Sequence, residues 1–223
     1  MSDLKVLVLI PAKNESAKIT EVVHGVRQYG FDVLVVDDGS TDETGKLASS
    51  AGAVVLCHAL NRGQGASIKT GIEYAIKNNY SVVVFFDADG QMLAKEISFL
   101  AEPVLKGEYE VVLGSRNLGH TINMPYSKKI VKKMALWFTK ITTGLKITDT
   151  HNGFQAWSLQ ALKKIDLSQD RMAYASEILA EIKNKKIKYR ELPVTISYTD
   201  YSVSKGQSIF NAFNILWDLV FKK

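Results

Sequence analysis

The chain has 223 residues, 46% hydrophobic and 23% charged, with a formal net charge of +5; this is the composition of one large or two small globular domains and excludes a collagenous or disordered chain. Its single cysteine, Cys57, rules out an intramolecular disulfide and fits a reducing compartment. No run approaches the roughly 20 apolar residues of a membrane span, and Met1-Ser2-Asp3-Leu4-Lys5 lacks the charged-then-apolar layout of a signal peptide.

Lys5 to Ile10 (KVLVLI) reads as a short apolar strand closed by Pro11, and Ile19, Val22, Val23 and Val26 then fall on one face of a helix. Phe31 to Val36 is a second strand running into Asp37-Asp38-Gly39-Ser40, with a polar helix start at Thr41-Asp42-Glu43-Thr44. Ala53 to Cys57 is a third. Arg62-Gly63-Gln64-Gly65 precedes a helix through Ile68, Ile72 and Ala75; it lacks the lysine and hydroxyl of a phosphate loop, so the glycines read as close packing at a helix start. Ser81 to Phe86 is too apolar for a strand with a solvated face and reads as a buried parallel strand. A helix near Ala94 to Lys106 and a strand Glu110 to Leu113 follow. This alternation predicts a mostly parallel, doubly wound sheet flanked by helices, with ligands beyond the carboxyl ends of its strands. Three of those ends carry polar motifs: PAKNE, DDGS and DADGQ.

After about residue 115 the alternation stops. Lys128, Lys129, Lys132 and Lys133 recur at helical spacing and lead into Met134-Ala135-Leu136-Trp137-Phe138. Cations beside large apolar groups suit anionic phosphates or lipid headgroups. No aromatic stacking platform accompanies the charge, which argues against nucleic acid. A helix over Ala175 to Lys183 and a strand pair near Ile187 to Tyr198 precede a terminal amphipathic helix, Ser208 to Lys223. That helix either packs on its own core, lies on a membrane or docks to a small membrane-protein partner. No linker separates the halves, so the expectation is one domain, 1–223, with a donor half (1–115) and an acceptor half (116–223).

The chemistry concentrates at Asp87-Ala88-Asp89-Gly90-Gln91. Two carboxylates one residue apart at the end of a buried strand need a counter-charge. A hard divalent cation, which takes oxygen ligands and shares them with substrate phosphates, would supply one. The alternative is a polar turn, as it is for Asp37 and Asp38, since DDGS is good turn chemistry. The four histidines, His24, His58, His120 and His151, show no paired-ligand spacing, which argues against a histidine metal site.

The ordered set PAKNE, DDGS, DADGQ and GSR (Gly114-Ser115-Arg116), with TDTHNGF and SKGQS later, resembles the family 2 glycosyltransferases of GT-A fold, in the branch of dolichyl- and undecaprenyl-phosphate sugar transferases. The resemblance implies a Rossmann-like α/β domain that moves a sugar, with inversion, from a UDP- or GDP-sugar to a polyprenyl phosphate using Mg²⁺ or Mn²⁺. It assigns Pro11, Lys13, Glu15, Asp38, Asp87 and Ala88 to the donor, Asp89 and Gln91 to the metal, and Asp89, Arg116 and Asp149 to catalysis. Lys128, Lys132 and Lys205 fall where acceptor-binding groups stand. The branch has a basic residue and, four later, a small hydroxyl residue where this chain has Lys128 and Lys132, and Gln155 replaces an arginine common after its GF. Asp149 either orients the basic groups or, with Glu177, offers a base for a hydroxyl acceptor. The implied location is cytoplasmic, peripheral on the membrane face. Rival readings are a glycosyltransferase with a saccharide acceptor, a sugar-phosphate nucleotidyltransferase (whose N-terminal signature is absent), and a catalytically silent nucleotide-sugar-binding subunit of a membrane complex.

Overall fold

The computed structural model describes residues 5–123, 136–137, 140, 143–150, 152–199 and 201. The lysine-rich segment with Lys128 and Lys132, His151, Lys205 and the terminal helix lie outside the described residues.

Strands β1 (Val6–Ala12), β2 (Asp32–Asp37), β3 (Val54–Cys57), β4 (Val82–Phe85), β5 (Val111–Ile122), β6 (Gln155–Ser158) and β7 (Tyr189–Ser197) form one sheet in the order β3-β2-β1-β4-β6-β5-β7. Helices among the described residues include α1 (Ile19–Arg27), α2 (Thr44–Ser50), α3 (Gln64–Lys77), α4 (Ile97–Leu105), α5 (Leu159–Leu162) and α6 (Tyr174–Asn184). Of these seven strands only β6 runs against the rest, pairing antiparallel with β4 and with β5. The remaining pairs, β1 with β2 and β4, β2 with β3, and β5 with β7, are parallel.

The strands are apolar on both faces because both are covered. Val8, Ile10 and Val84 meet Ile19 and Val23 of α1 and Ile97 and Leu100 of α4. Leu7, Leu9, Val83 and Phe85 point the other way, onto Ile68 and Ile72 of α3 and Ile178 and Ile182 of α6. Trp157, the largest fully buried side chain, joins the second layer from β6 and stacks near Phe85 at 6.2 Å between ring centres.

Three elements differ from the sequence reading. Pro11 does not close β1 but lies inside it, paired with Val36. The β1–β4 pairing ends at Leu9 and Phe85, so one side of the strand is open where the proline lacks its N–H. The strand pair expected near Ile187 to Tyr198 is the single strand β7, an edge strand that pairs with the distant β5 rather than with a local hairpin partner, and its Pro193 suits an edge. The strand beginning at Glu110 continues to Ile122, and β6 was not anticipated: four residues after a turn-like NGF carry no periodicity of their own, and β6 exists because β4 and β5 supply its ladder on both sides.

Candidate functional site

The loops after β1 and β2 are tied to each other. Asn14, which tolerates its positive φ of 53°, donates its backbone N–H to Ser40 Oγ at 2.9 Å and accepts the Thr41 N–H at 2.8 Å. The Glu15 N–H reaches Thr44 Oγ1 at 2.7 Å, and the Asp42 carboxylate accepts the N–H groups of Ser16 and Thr44. PAKNE and DDGS therefore form one rigid rim. Lys13 is exposed on it, whereas Pro11 is half-buried in β1. Asp37 caps its own turn, its Oδ1 accepting the Ser40 N–H at 2.9 Å.

Asp38 is buried next to this rim. Its Oδ1 receives His58 Nδ1 at 2.8 Å and the Arg62 N–H at 2.9 Å, and its Oδ2 receives the Gly63 N–H at 2.7 Å. Burial alone would raise the Asp38 pKa; the His58 side chain and the two backbone donors overcome it and hold the carboxyl below the usual value. The RGQG segment is packing, as expected. Gly63, at φ 105°, opens α3, and a Cβ on Gly65 would sit 2.2 Å from the Gln169 carbonyl oxygen.

DADGQ begins where β4 ends. The Phe86 N–H still bonds Leu9 O, after which the chain turns through Gly90 at φ 75°. The Gln91 N–H donates to Asp89 Oδ1 at 3.0 Å, and Gln91 O accepts the Ser197 N–H at 2.9 Å, so the acidic turn is fastened to the end of β7. Ala88 between the acids is buried. The Asp87 carboxyl is raised to about 7, first by burial and then by Asp89 and Glu15, against the opposing pull of Arg116. NGF meets DADGQ here: a Cβ on Gly153 would lie 2.6 Å from Asp87 Oδ1.

Arg116 reaches the same place through a fault in the sheet. β5 and β7 stay in register to Ser115 and Pro193, then resume at His120 and Thr195. Four residues of β5 thus face one of β7, at the proline that cannot donate. Such a bulge re-aims side chains. Ser115 Oγ holds it by meeting Thr148 Oγ1 at 2.7 Å and accepting the N–H groups of Asn117 and Leu118. The freed guanidinium grips Asp149 with both prongs, Nε to Oδ2 at 2.6 Å and Nη2 to Oδ1 at 2.7 Å, and Nη2 also donates to Thr150 O at 2.9 Å. Asp149 further accepts the N–H groups of Arg116 and Thr150. Burial works against the Arg116 cation, but Asp149 and Tyr198 keep its pKa above the ordinary value. Glu191 anchors the loop from below, accepting the N–H groups of Thr148 and Asp149 at 2.8 and 3.1 Å.

The fold thus gathers Glu15, Asp87, Asp89, Arg116 and Asp149 into one electrostatic neighbourhood. Asp38 belongs to a neighbouring cluster with His58 and Arg62. Glu177 is elsewhere employed: its carboxylate accepts the N–H groups of Ser168 and Gln169 at 2.9 and 3.0 Å. Sequence reasoning missed Tyr198, which lies against Arg116, and Tyr201, whose hydroxyl donates to Glu15 Oε2 at 2.7 Å. Nothing in their spacing marks them; both follow the end of β7, and only the strand's placement beside β5 carries them over the site. The role of His58 was also missed, although its place after β3 was the available signal.

Among the described residues no three His, Cys, Asp or Glu side chains converge as a metal cage. The acidic turn still fits a hard cation: its donors are oxygens, and burial together with the neighbouring Asp89 and Glu15 carboxylates disfavours the charged form of Asp87, a cost that a bound cation would offset. Such cations commonly need only one or two protein carboxylates and complete their shell with water and substrate phosphates.

Residues 7–166 match the family described as Glycosyl transferase family 2. The chain is 30% identical to the UDP-N-acetylglucosamine–dolichyl-phosphate N-acetylglucosaminyltransferase of Methanococcus voltae, over 100% of its own length and 98% of that relative. It is 32% identical to the polyprenol monophosphomannose synthase of Mycolicibacterium smegmatis, over 90% of its length and 80% of that relative. In fold it is similar to the glucosyl-3-phosphoglycerate synthase of Mycobacterium tuberculosis crystallised with Mn²⁺, UDP and glucosyl-3-phosphoglycerate, at a TM-score of 0.77 and 16% identity, covering 98% of this chain and 78% of that one. The family match over most of the chain and the likeness in fold together show that the chain belongs to glycosyl transferase family 2 and has its GT-A fold.

Proposed function

We propose that this glycosyltransferase moves a sugar, with inversion, from a UDP- or GDP-sugar to a polyprenyl phosphate, with Mg²⁺ or Mn²⁺. The observation that carries the choice of acceptor is the employment of Asp149 and Glu177, the two carboxylates the sequence offered as bases for a hydroxyl acceptor. A hydroxyl acceptor needs a base within hydrogen-bond reach. Asp149 is committed to Arg116 and the Thr150 N–H, and Glu177 to the Ser168–Gln169 loop. A phosphate acceptor arrives already anionic and needs no base. The named activities of the Methanococcus and Mycolicibacterium relatives support the same acceptor class.

In this reading Pro11, Lys13, Glu15, Asp38, Asp87 and Ala88 serve the donor, and Asp89 with Gln91 holds the cation. Once bound, the cation would neutralise the departing nucleoside diphosphate as a Lewis acid. Arg116 presents a guanidinium to a phosphate oxygen while Asp149 fixes its orientation and Tyr198 lies against it. The acceptor oxygen then attacks the anomeric carbon from the face opposite the diphosphate. Residues 1–115 contribute the donor half; residues 116–223, with Lys128, Lys132 and Lys205, contribute the acceptor half. The lysine-rich segment and terminal helix would place the enzyme on the cytoplasmic membrane face, where the helix could also meet a small membrane protein. Among the described residues no helix is long and apolar enough to cross a membrane.

The test is to incubate purified protein and divalent cation with a panel of UDP- and GDP-sugars and a short-chain polyprenyl phosphate, and to look for a lipid-phosphate sugar by mass spectrometry. Transfer to saccharide hydroxyls with no lipid product would overturn the acceptor. Donor binding without transfer to either would favour a silent binding subunit.

A further inference from the structure

His58 is a buried titratable group that the transfer chemistry does not use. Its side chain is 8% exposed, and that of Asp38 6%. Nδ1 meets Asp38 Oδ1 at 2.8 Å, and Nε2 meets Thr70 Oγ1 of α3 at 2.9 Å. The His58 N–H donates to Asp37 O at 2.9 Å, so backbone and ring are both fixed. The imidazole therefore bridges the end of β2 to α3 through Asp38. A histidine that merely fills a core needs no such pair of partners.

Consider what this does to Asp38. A carboxylate offers about four acceptor positions. Among the described residues Oδ1 takes two donors, His58 Nδ1 and the Arg62 N–H, while Oδ2 takes one, the Gly63 N–H. The remaining position is on Oδ2. A free aspartate could rotate either oxygen toward a ligand; here His58 holds Oδ1 inward, which selects the oxygen left to accept.

We infer that His58 is a positioning residue for the donor: by holding Asp38 Oδ1 against Thr70 and α3, it aims the open acceptor position of Oδ2 at an N–H or O–H of the donor's nucleoside. This rests on the donor reading above. Pre-organising one acceptor in this way raises affinity by removing the cost of ordering it on binding.

Two substitutions separate the ring's nitrogens. His58→Asn places an amide nitrogen where Nδ1 stands and keeps the bond to Asp38. His58→Gln places one where Nε2 stands and keeps only the bond to Thr70. Binding of UDP and of GDP, each with Mn²⁺, is measured by calorimetry, with melting temperatures alongside. His58→Gln is expected to weaken the bound nucleotide about tenfold, the loss of one charge-assisted hydrogen bond, with His58→Asn within about threefold of wild type. The effect is expected in KM for the donor rather than in kcat, because the proposed contact is to the nucleoside. Equal affinities in the two variants, or losses that follow melting temperature alone, would overturn the inference. If either variant fails to fold, the wild-type ¹⁵N histidine resonances decide: the His58 signals must move on UDP or GDP addition, and signals that stay fixed at saturation overturn it. Wild type binding neither nucleotide would overturn the donor reading itself, a result distinguishable from the others.

Discussion

Arg116 and Asp149 form the site's most consequential pair because neither can be removed alone without leaving a buried charge. Breaking such a pair from one side typically costs about 3–5 kcal/mol. Asp149→Ala should therefore lower unfolding stability by about that amount in urea titrations and remove activity with it. Arg116→Lys keeps the charge but not the two-pronged fit; its expected signature is a folded protein whose kcat/KM for the proposed phosphate acceptor falls about 100-fold while donor binding is retained. Asp89 is half-buried, and its Oδ1 accepts the Gln91 N–H of its own turn. Asp89→Ala should abolish cation-dependent turnover in a protein that still unfolds cooperatively; full activity would remove it from the mechanism. Gly153 is constrained by space rather than by backbone angle. A Cβ there would press on the Asp87 carboxylate at 2.6 Å, so Gly153→Ala should cost about 1–3 kcal/mol in stability and disturb the acidic turn.

Elements set where these residues stand. The β5–β7 bulge turns Arg116 out of the ladder, and the Ser197-to-Gln91 hydrogen bond fastens the acidic turn to the same strand. On the donor side Asp42 joins the loops after β1 and β2. Burial alone would raise its pKa, but the hydrogen bonds from Thr44 and Ser16 together overcome it and bring the value from 3.8 to about 2. A folded-state pKa below the unfolded one means that Asp42 stabilises the protein above about pH 4 and that this contribution disappears as pH falls from there toward 2. Asp42→Ala should cost about 1–2 kcal/mol at neutral pH, and the difference from wild type should vanish across that acidic window. The elements also show which signals the sequence carried. β1, β2 and β4 were legible because strands buried on both faces need continuous apolar runs, and α1 because its core face recurs at helical spacing. β6 and the far half of β5 were not, since their strand character comes from partners distant in the chain rather than from a local period.

At the scale of the whole molecule, six parallel strands direct their carboxyl ends to one edge, and that edge collects motifs scattered from residue 11 to residue 154. The proposed membrane role rests on segments far apart in the sequence, the lysine-rich stretch and the C-terminal residues from Ser208. Intact protein should float with anionic liposomes in a salt-sensitive manner, and a chain ending before Ser208 should bind less; equal flotation would reject a membrane function for the helix. The sequence by itself determined the fold class and the family and pointed to the acidic turn as the centre of the candidate site, because a buried parallel sheet and a carboxylate pair at a strand end leave local signatures in residue type and spacing. Only the tertiary structure decided that Asp149 serves Arg116, that Glu177 holds a loop, that Asp38 is gripped by His58, and that Tyr198 and Tyr201 reach the site. Those roles depend on which lone pairs are already occupied, and occupancy is set by neighbours brought together through the sheet rather than by the order of residues along the chain.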